Sequence, residues 1–99
     1  MTNKGYQLSH MAQLHLIKIK SYTCESFSEQ QWRVYKRILL NGFKMLSDNP
    51  ELATTCSDIY DKGYYFHIGK HTVYFTKENG FILIVAVLSQ SQLPQHHIS

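Results

Sequence analysis

The sequence lacks the features that mark secreted, membrane-spanning and metal-stapled proteins. Its 99 residues contain only two cysteines, Cys24 and Cys56, which form neither a C-x-x-C pair nor a zinc-ligand spacing. The first ten residues hold no apolar signal-peptide core, and the longest apolar run, residues 81–88, is far too short to cross a bilayer as a helix. We therefore expect a single domain over residues 1–99, cytoplasmic, with reduced thiols, no membrane contact and no cofactor.

A strong charge of one sign is also missing. Ten Lys and Arg residues against seven Asp and Glu residues leave a formal net charge of +3. Nucleic-acid-binding domains usually carry a larger and more clustered excess, so we expect no direct sequence-specific DNA binding. A stripe of four cations, Arg33, Lys36, Arg37 and Lys44, is typical of a solvated helix face and would also favour docking of an acidic protein partner.

Helical periodicity dominates the first half of the chain. Residues 10–26 carry an apolar stripe at spacings of four and three residues, made of Ala12, Leu16, Ile19 and Tyr22 and widened by Leu14 and Ile17. A second helix is predicted after Ser28, which forms a capping-box pattern with Gln31, and it must end before Pro50. Its apolar stripe consists of Trp32, Tyr35, Leu39, Phe43 and Leu46. The short link between the helices predicts an antiparallel helical hairpin.

In the second half of the chain, the periodicity is that of β-strands. Residues 63–75 alternate in polarity around a predicted tight turn at Gly69-Lys70, and Asn79-Gly80 marks a second turn. The apolar residues 81–89 predict a strand buried on both faces. With a short strand at residues 5–9 and an irregular connection at 51–62, the order is β-α-α-β-β-β. We predict an α+β fold, with the helical hairpin on one face of a small, mostly antiparallel sheet and a flexible tail at residues 89–99.

Four stretches of the chain resemble the ParE branch of the RelE/ParE toxin superfamily. The first helix is similar to the family pattern A-x-x-x-L-x-x-I-x-x-Y, and "LSDNPEL" resembles its L-A-x-N-P close. The segment "DIYDKGYYFHIGKHTVYF" is similar to the family's G-Y-R and G-x-H-x-I-x-Y block, and "ILIVAVLSQSQLPQHHI" lines up with its last strand and tail. Together these pieces cover nearly the whole chain in the family's order.

This resemblance implies the toxin of a type II toxin–antitoxin module for plasmid or prophage maintenance. Such a toxin is held in a hetero-oligomer by a cognate antitoxin and poisons DNA gyrase by binding, without catalysis. For the gyrase contact we predict the hairpin and the tail, namely Tyr65, His67, Lys70, His71, Gln90, Gln92 and His96. For the antitoxin contact we predict the helical hairpin, namely Leu14, Ile17, Trp32, Tyr35 and Leu39.

Four positions depart from the family pattern. Tyr65 and Ala86 stand where arginine is common, Ser89 where histidine is common, and His15 where the first helix often has an acidic residue. The departures at Tyr65, Ala86 and Ser89 motivate one alternative, an attenuated toxin that acts mainly as an antitoxin-binding and co-repressor module.

A second alternative is an enzyme, a ribosome-dependent messenger RNA endonuclease of the RelE type. Metal-free RNA cleavage needs a base near the 2′-hydroxyl and cations around the phosphate. Such groups are available only around the predicted hairpin, in His67, Lys70, His71 and Tyr74, whereas the last strand offers none. Because His67 and His71 are separated by a turn and lack a third ligand, we predict no metal site.

Overall fold

The computed structural model describes residues 5–56 and 62–89. Within them the element order is β1 (Tyr6–Leu8), α1 (His10–Ser26), α2 (Glu29–Asp48), a 3₁₀ turn (Pro50–Leu52), β2 (Thr54–Thr55), β3 (Gly63–Ile68), β4 (His71–Lys77) and β5 (Ile82–Ser89). The predicted α+β class is confirmed. Neither of these helices is long and apolar enough to cross a membrane.

The described strands form one mixed sheet in the order β1-β5-β4-β3-β2. β1 runs parallel to β5, and the other neighbours are antiparallel. A bulge interrupts the β4–β5 ladder, because Tyr74 is opposite Ala86 whereas Phe75 is opposite Ile84, which leaves Val85 as the extra residue. As predicted, β5 is buried on both faces apart from two half-buried positions.

Each face of the sheet supports its own apolar cluster. The larger cluster joins the helices to the sheet through Ala12, Ile19, Trp32, Leu39, Phe43 and Leu46 from the helices and Ile68, Val73, Phe75, Ile82, Ile84 and Val87 from the strands. The smaller cluster, on the opposite face, contains Cys56, Tyr74, Val85, Ala86 and Leu88. Alternate residues of β4 divide between the two clusters, as the period of a strand requires.

Serine caps begin both helices. The Ser9 side chain accepts a hydrogen bond from the Ala12 N–H at 3.0 Å and donates one to the Val85 carbonyl at 2.9 Å, so it also ties α1 to the bulge in β5. The Ser28 side chain accepts from the Gln31 N–H at 3.0 Å. The backbone N–H of Ser28 donates a hydrogen bond to the Thr23 carbonyl. In the predicted capping box, that N–H would donate to the Gln31 side chain instead.

The buried face of α1 differs from the predicted stripe. Tyr22 is 63% exposed, and Thr23 takes its place on the buried side. Successive residues are turned by about 100° around a helix, so Thr23 lies in line with Ala12 and Ile19 whereas Tyr22 does not. Leu14 and Ile17, expected to widen the buried stripe, are instead 45% and 59% exposed.

The connection after α2 also contains a strand that the sequence analysis missed. Thr54 and Thr55 pair with Tyr65 and Tyr64 at the edge of the sheet. Both threonines are exposed, so no alternation of polarity marked them, and only the pairing with β3 defines the strand. The remainder of the connection, residues 57–61, lies outside the described residues, as does the predicted tail beyond Ser89.

Both predicted turns are confirmed. β3 and β4 are joined by Gly69 and Lys70 alone, and Gly69 has a φ of +60°, which suits the first central position of a type II′ turn. The β4–β5 connection spans four residues, with Gly80 at a φ of +91°.

Candidate functional site

A shallow apolar groove runs between the two helices. Its cavity of about 150 Å³ is lined by Leu16, Ile17 and Lys20 from α1 and by Trp32, Lys36, Leu39 and Leu40 from α2. Trp32 and Leu39 form a buried floor, whereas Ile17 leaves more than half of its surface open to solvent. An exposed apolar rim over a buried aromatic floor is the arrangement that receives the apolar face of a partner helix.

The groove is bordered by positive charge. Between His10 and Asp48 six cations, Lys18, Lys20, Arg33, Lys36, Arg37 and Lys44, outnumber three acids, Glu25, Glu29 and Asp48. Arg33 and Lys44 have acidic neighbours on their own helix at 3.8 and 3.9 Å. Lys20 and Lys36, one on each side of the groove, form no ion pair with any described residue, so both are available to an acidic ligand.

The predicted antitoxin-binding residues do not all meet at this groove. Ile17, Trp32 and Leu39 line it. Leu14 is on the outer side of α1, away from the groove, and Tyr35 lies on the other flank of α2, where it contacts the β3–β4 turn. Which of these residues contact an antitoxin stays a prediction.

Four lining residues were missing from the predicted set, namely Leu16, Lys20, Lys36 and Leu40. A signal for them was present, since positions 16 and 20 and positions 32, 36, 39 and 40 follow helical spacing on one side of each helix. That signal was not decisive, because only the packing of α1 against α2 shows which side faces the neighbour.

The outer face of the β3–β4 hairpin presents an aromatic and polar patch. The Tyr65 ring lies 5.7 Å from the His67 ring and 6.3 Å from the Tyr74 ring. The Nδ1 atom of His67 is 2.9 Å from the Thr72 hydroxyl. Burial raises the pKa of the Tyr74 phenol, with smaller contributions from Cys56 and Tyr65, so Tyr74 is neutral near pH 7.

His71 lies on the opposite face of the hairpin from His67. It is paired with Ile68, which belongs to the helix-side cluster, and its Nδ1 atom is 2.6 Å from the Tyr35 hydroxyl on α2. His71 therefore does not share the outer face with Tyr65 and His67, although all three were predicted to contact the target. The reason is the two-residue turn, which puts His71 in register with Ile68 and so on the same side of the sheet.

The predicted target-binding residues thus divide among three places. Tyr65 and His67 lie on the outer face, Lys70 is exposed at the tip, and His71 is half-buried against α2. Gln90, Gln92 and His96 lie outside the described residues. No group of three or more His, Cys, Asp or Glu side chains that could hold a metal ion occurs in residues 5–56 and 62–89.

The positions that depart from the family pattern have structural roles in this chain. Ala86 is fully buried and paired with Tyr74, so β5 carries an alkyl group where arginine is common. His15 accepts a hydrogen bond from the Val87 N–H at 3.1 Å. Together, His15 and Ser9 hydrogen-bond the backbone of β5 beyond Ile84, where its pairing with the short β1 ends. Ser89 pairs with His71 near the hairpin tip.

The fold is that of a small α+β protein with an open apolar groove along its helical hairpin. Residues 6–94 match the family model for the ParE toxin of the type II toxin–antitoxin system, parDE, and the chain therefore belongs to the ParE toxin family. Among solved structures, the chain is similar to the chromosomal ParDE TA system from P. aeruginosa, with a TM-score of 0.74 and 9% identity over 86% of this chain and 94% of that one. At that identity the similarity shows the fold alone. No curated protein matches the chain.

Proposed function

We propose that this protein is the toxin of a type II toxin–antitoxin module, neutralised by a cognate antitoxin that occupies the groove between α1 and α2. The observation that carries the proposal is the groove itself, an open apolar cleft in a chain of the ParE toxin family, with a lysine on each side that forms no ion pair within residues 5–56 and 62–89. Exposed apolar surface of this kind is costly in a free protein unless a partner covers it.

The chemistry of the groove indicates what the antitoxin segment must look like. Its apolar side chains, repeating every three or four residues along a helix, would pack on Ile17 and Trp32. Acidic residues flanking that stripe would reach Lys20 and Lys36. A segment that folds as it binds would suit a groove this shallow, because folding on binding lets a short chain cover a long surface. The complex would be a toxin–antitoxin hetero-oligomer.

The toxic activity would be inhibition of DNA gyrase by binding, with no catalysis by the chain. Three hairpin residues, the half-buried Tyr65 and the exposed His67 and Lys70, would contact the target, together with the tail residues Gln90, Gln92 and His96. The Tyr65 and His67 rings lie 5.7 Å apart on the outer face of the hairpin, and tyrosine is a frequent anchor of protein interfaces.

Expression in a bacterial host tests the antitoxin part of the proposal. The chain is induced alone and together with the acidic protein encoded beside it. We expect growth arrest in the first culture, growth in the second, and a complex that copurifies. Normal growth with the chain alone would instead support the attenuated co-repressor alternative. Failure of the two proteins to copurify would show that the acidic protein does not bind the chain, and the groove would then have no role in neutralisation.

A supercoiling assay with purified gyrase tests the target. We expect inhibition at micromolar excess of the toxin, and weaker inhibition by Lys70→Glu. Primer extension on translated messenger RNA from the same cells separates this activity from the RelE-type endonuclease. Cleavage between codons, without inhibition of gyrase, would favour the RelE-type endonuclease over gyrase poisoning.

A further inference from the structure

A single hydroxyl group connects α2 to the tip of the β3–β4 hairpin. The Tyr35 oxygen accepts a hydrogen bond from the Lys70 N–H at 2.9 Å and lies 2.6 Å from Nδ1 of His71. The Ile68 carbonyl is 3.5 Å away. Ile68 ends β3, Lys70 is in the two-residue turn and His71 begins β4. This one oxygen therefore contacts the turn and both of the strands that it joins.

The hydrogen-bonding capacity of a phenol assigns the direction of each bond. The Tyr35 hydroxyl has one proton to donate and two lone pairs. The Lys70 N–H uses one lone pair, and the short contact to His71 takes the proton if Nδ1 is unprotonated. The other assignment, with a proton on Nδ1, would leave the Tyr35 proton no acceptor among the described residues closer than the Ile68 carbonyl at 3.5 Å, the limit of a hydrogen bond. We therefore assign His71 as neutral, with its proton on Nε2.

Glycine at the turn makes this close approach possible. A Cβ atom on Gly69 would lie 2.7 Å from the Tyr35 oxygen and 2.8 Å from its ring. Gly69 also has a φ of +60°, which side chains other than hydrogen rarely allow. The turn and the tyrosine are thus fitted to each other by contact as well as by hydrogen bonds.

We propose that Tyr35 is a positioning residue, which fastens the tip of the β3–β4 hairpin to α2 through neutral His71, and that protonation of His71 loosens this fastening. Protonation puts a hydrogen on Nδ1, so His71 would then contact Tyr35 only as a donor, to the lone pair that the Lys70 N–H leaves free, and the Tyr35 proton must turn away from it. The consequence for target binding by Lys70 rests on the proposed function, whereas the fastening itself does not.

The surroundings of His71 agree with a neutral imidazole. Tyr35 faces it from α2, Ile68 from β3 and Ser89 from β5, and the adjacent charge is the exposed Lys70. No carboxylate of the described residues forms an ion pair with it that would favour its charged form. Burial lowers the pKa of His71 below its ordinary value of 6.5, so the neutral imidazole that accepts the Tyr35 proton predominates near pH 7 and is lost as the pH falls through the lowered pKa.

Amide hydrogen exchange measured by NMR tests the fastening directly. Removal of the hydroxyl by Tyr35→Phe should lower the protection factor of the Lys70 amide about five- to tenfold, the loss expected for one hydrogen bond. Protection at Val73 and Val87 in the central strands should be unchanged, which shows that the variant is folded. Tyr22→Phe is the matched control, because the Tyr22 side chain is exposed and its interaction with the described residues is a ring contact with Phe27. An unchanged Lys70 amide in Tyr35→Phe overturns the proposal.

The role of protonation is tested by His71→Asn, whose side-chain oxygen can accept from Tyr35 at the position of Nδ1 but does not titrate. In the wild type the protection factor of Lys70 should fall between pH 8 and pH 5. In His71→Asn it should stay high and independent of pH. A pH dependence that persists in His71→Asn would exclude His71 as the responsible group.

Gyrase inhibition is then compared among the same variants. Weaker inhibition by Tyr35→Phe than by the wild type or by Tyr22→Phe is the expected result. If no variant, the wild type included, inhibits gyrase while the exchange results hold, the proposed target is wrong and the fastening stands.

Discussion

The two flanks of α2 have opposite characters. On the flank that faces α1, a groove leaves apolar surface open and two lysines without ionic partners among the described residues. On the flank that faces the β3–β4 hairpin, Tyr35 satisfies the Lys70 amide and His71 with one hydroxyl, and Gly69 packs directly against its ring. One flank is incomplete without a partner, whereas the other is complete within the chain.

We therefore expect the flank of α2 that faces α1 to bind a partner, and the flank that faces the hairpin to position the hairpin. An open apolar cleft gains free energy when another chain fills it, so its residues should matter for affinity and little for folding. A junction closed by hydrogen bonds and contact should matter for the stability and geometry of the hairpin. Four predictions follow from this contrast, in order of decreasing effect.

Gly69→Ala should have the largest effect, on the closed flank. The new methyl group meets the Tyr35 oxygen at 2.7 Å and the backbone retains a positive φ, so we expect a loss of about 2–3 kcal/mol in the free energy of unfolding. Urea denaturation measures it. Gly80→Ala is the control, because Gly80 has a φ of +91° in the other turn and no contact with Tyr35. Equal losses in both variants would mean that backbone strain alone, and not the fit to Tyr35, explains the result.

Ile17→Glu should have the next largest effect, on the open flank. Ile17 is 59% exposed and lines the groove, so the charge should weaken antitoxin binding about 30-fold, equivalent to about 2 kcal/mol, and change stability little. Isothermal titration with the cognate antitoxin measures the affinity.

Val34→Glu provides the matched comparison for that variant. Val34 is a β-branched residue on α2 with 45% exposure and is not part of the groove. It should leave the affinity unchanged. A similar loss in both variants would mean that the antitoxin does not distinguish the groove from the rest of the helical surface.

Lys20→Gln combined with Lys36→Gln should give a smaller, kinetic effect. Removal of the two charges beside the groove should slow antitoxin association several-fold at low salt and flatten its dependence on ionic strength. Stopped-flow fluorescence of Trp32, which lines the groove, reports the association rate. Lys18→Gln, at a position outside the groove, is the control, and an equal slowing by this single change would indicate general attraction by the net charge.

The smallest effect concerns pH. The pKa of His71 is lowered in the folded state, so His71 binds a proton more readily in the unfolded chain than in the folded chain. The free energy of unfolding should therefore decrease as the pH falls below 6.5. Thermal unfolding at pH 8 and pH 5 measures the decrease in wild type and in His71→Asn. The wild type should lose more than the variant, and identical losses would assign the pH dependence to other histidines.

Much of the architecture could be predicted from local pattern. The bounds of α1, the Ser28 cap, the turn at Gly69-Lys70 and the burial of β5 all follow from the period or chemistry of neighbouring residues. The errors occurred where local pattern is silent. Thr54 and Thr55 are a strand only because β3 lies beside them, and Leu14 and Ile17 continue an apolar composition without sharing the buried side.

Gly42 illustrates the limit in a single residue. A glycine inside a helix lowers helix propensity, and the sequence offers no local reason for it. In the fold, a Cβ atom at this position would lie 2.4 Å from the Ile68 side chain, so glycine allows α2 to approach β3. The candidate site has the same character, since the groove requires two helices and the Tyr35 junction requires a helix and a turn.

By itself, then, the sequence determined which segments other than β2 are helices and strands, where the turns fall, and that the chain is similar to the ParE toxins, because these depend on residues close together along the chain. The tertiary structure alone decided that Lys20 and Lys36 border one groove and that Tyr35 meets His71, 36 residues away. Those contacts depend on how α1 and α2 rotate and pack against each other and the sheet. That packing is set by the whole core, which no single segment encodes.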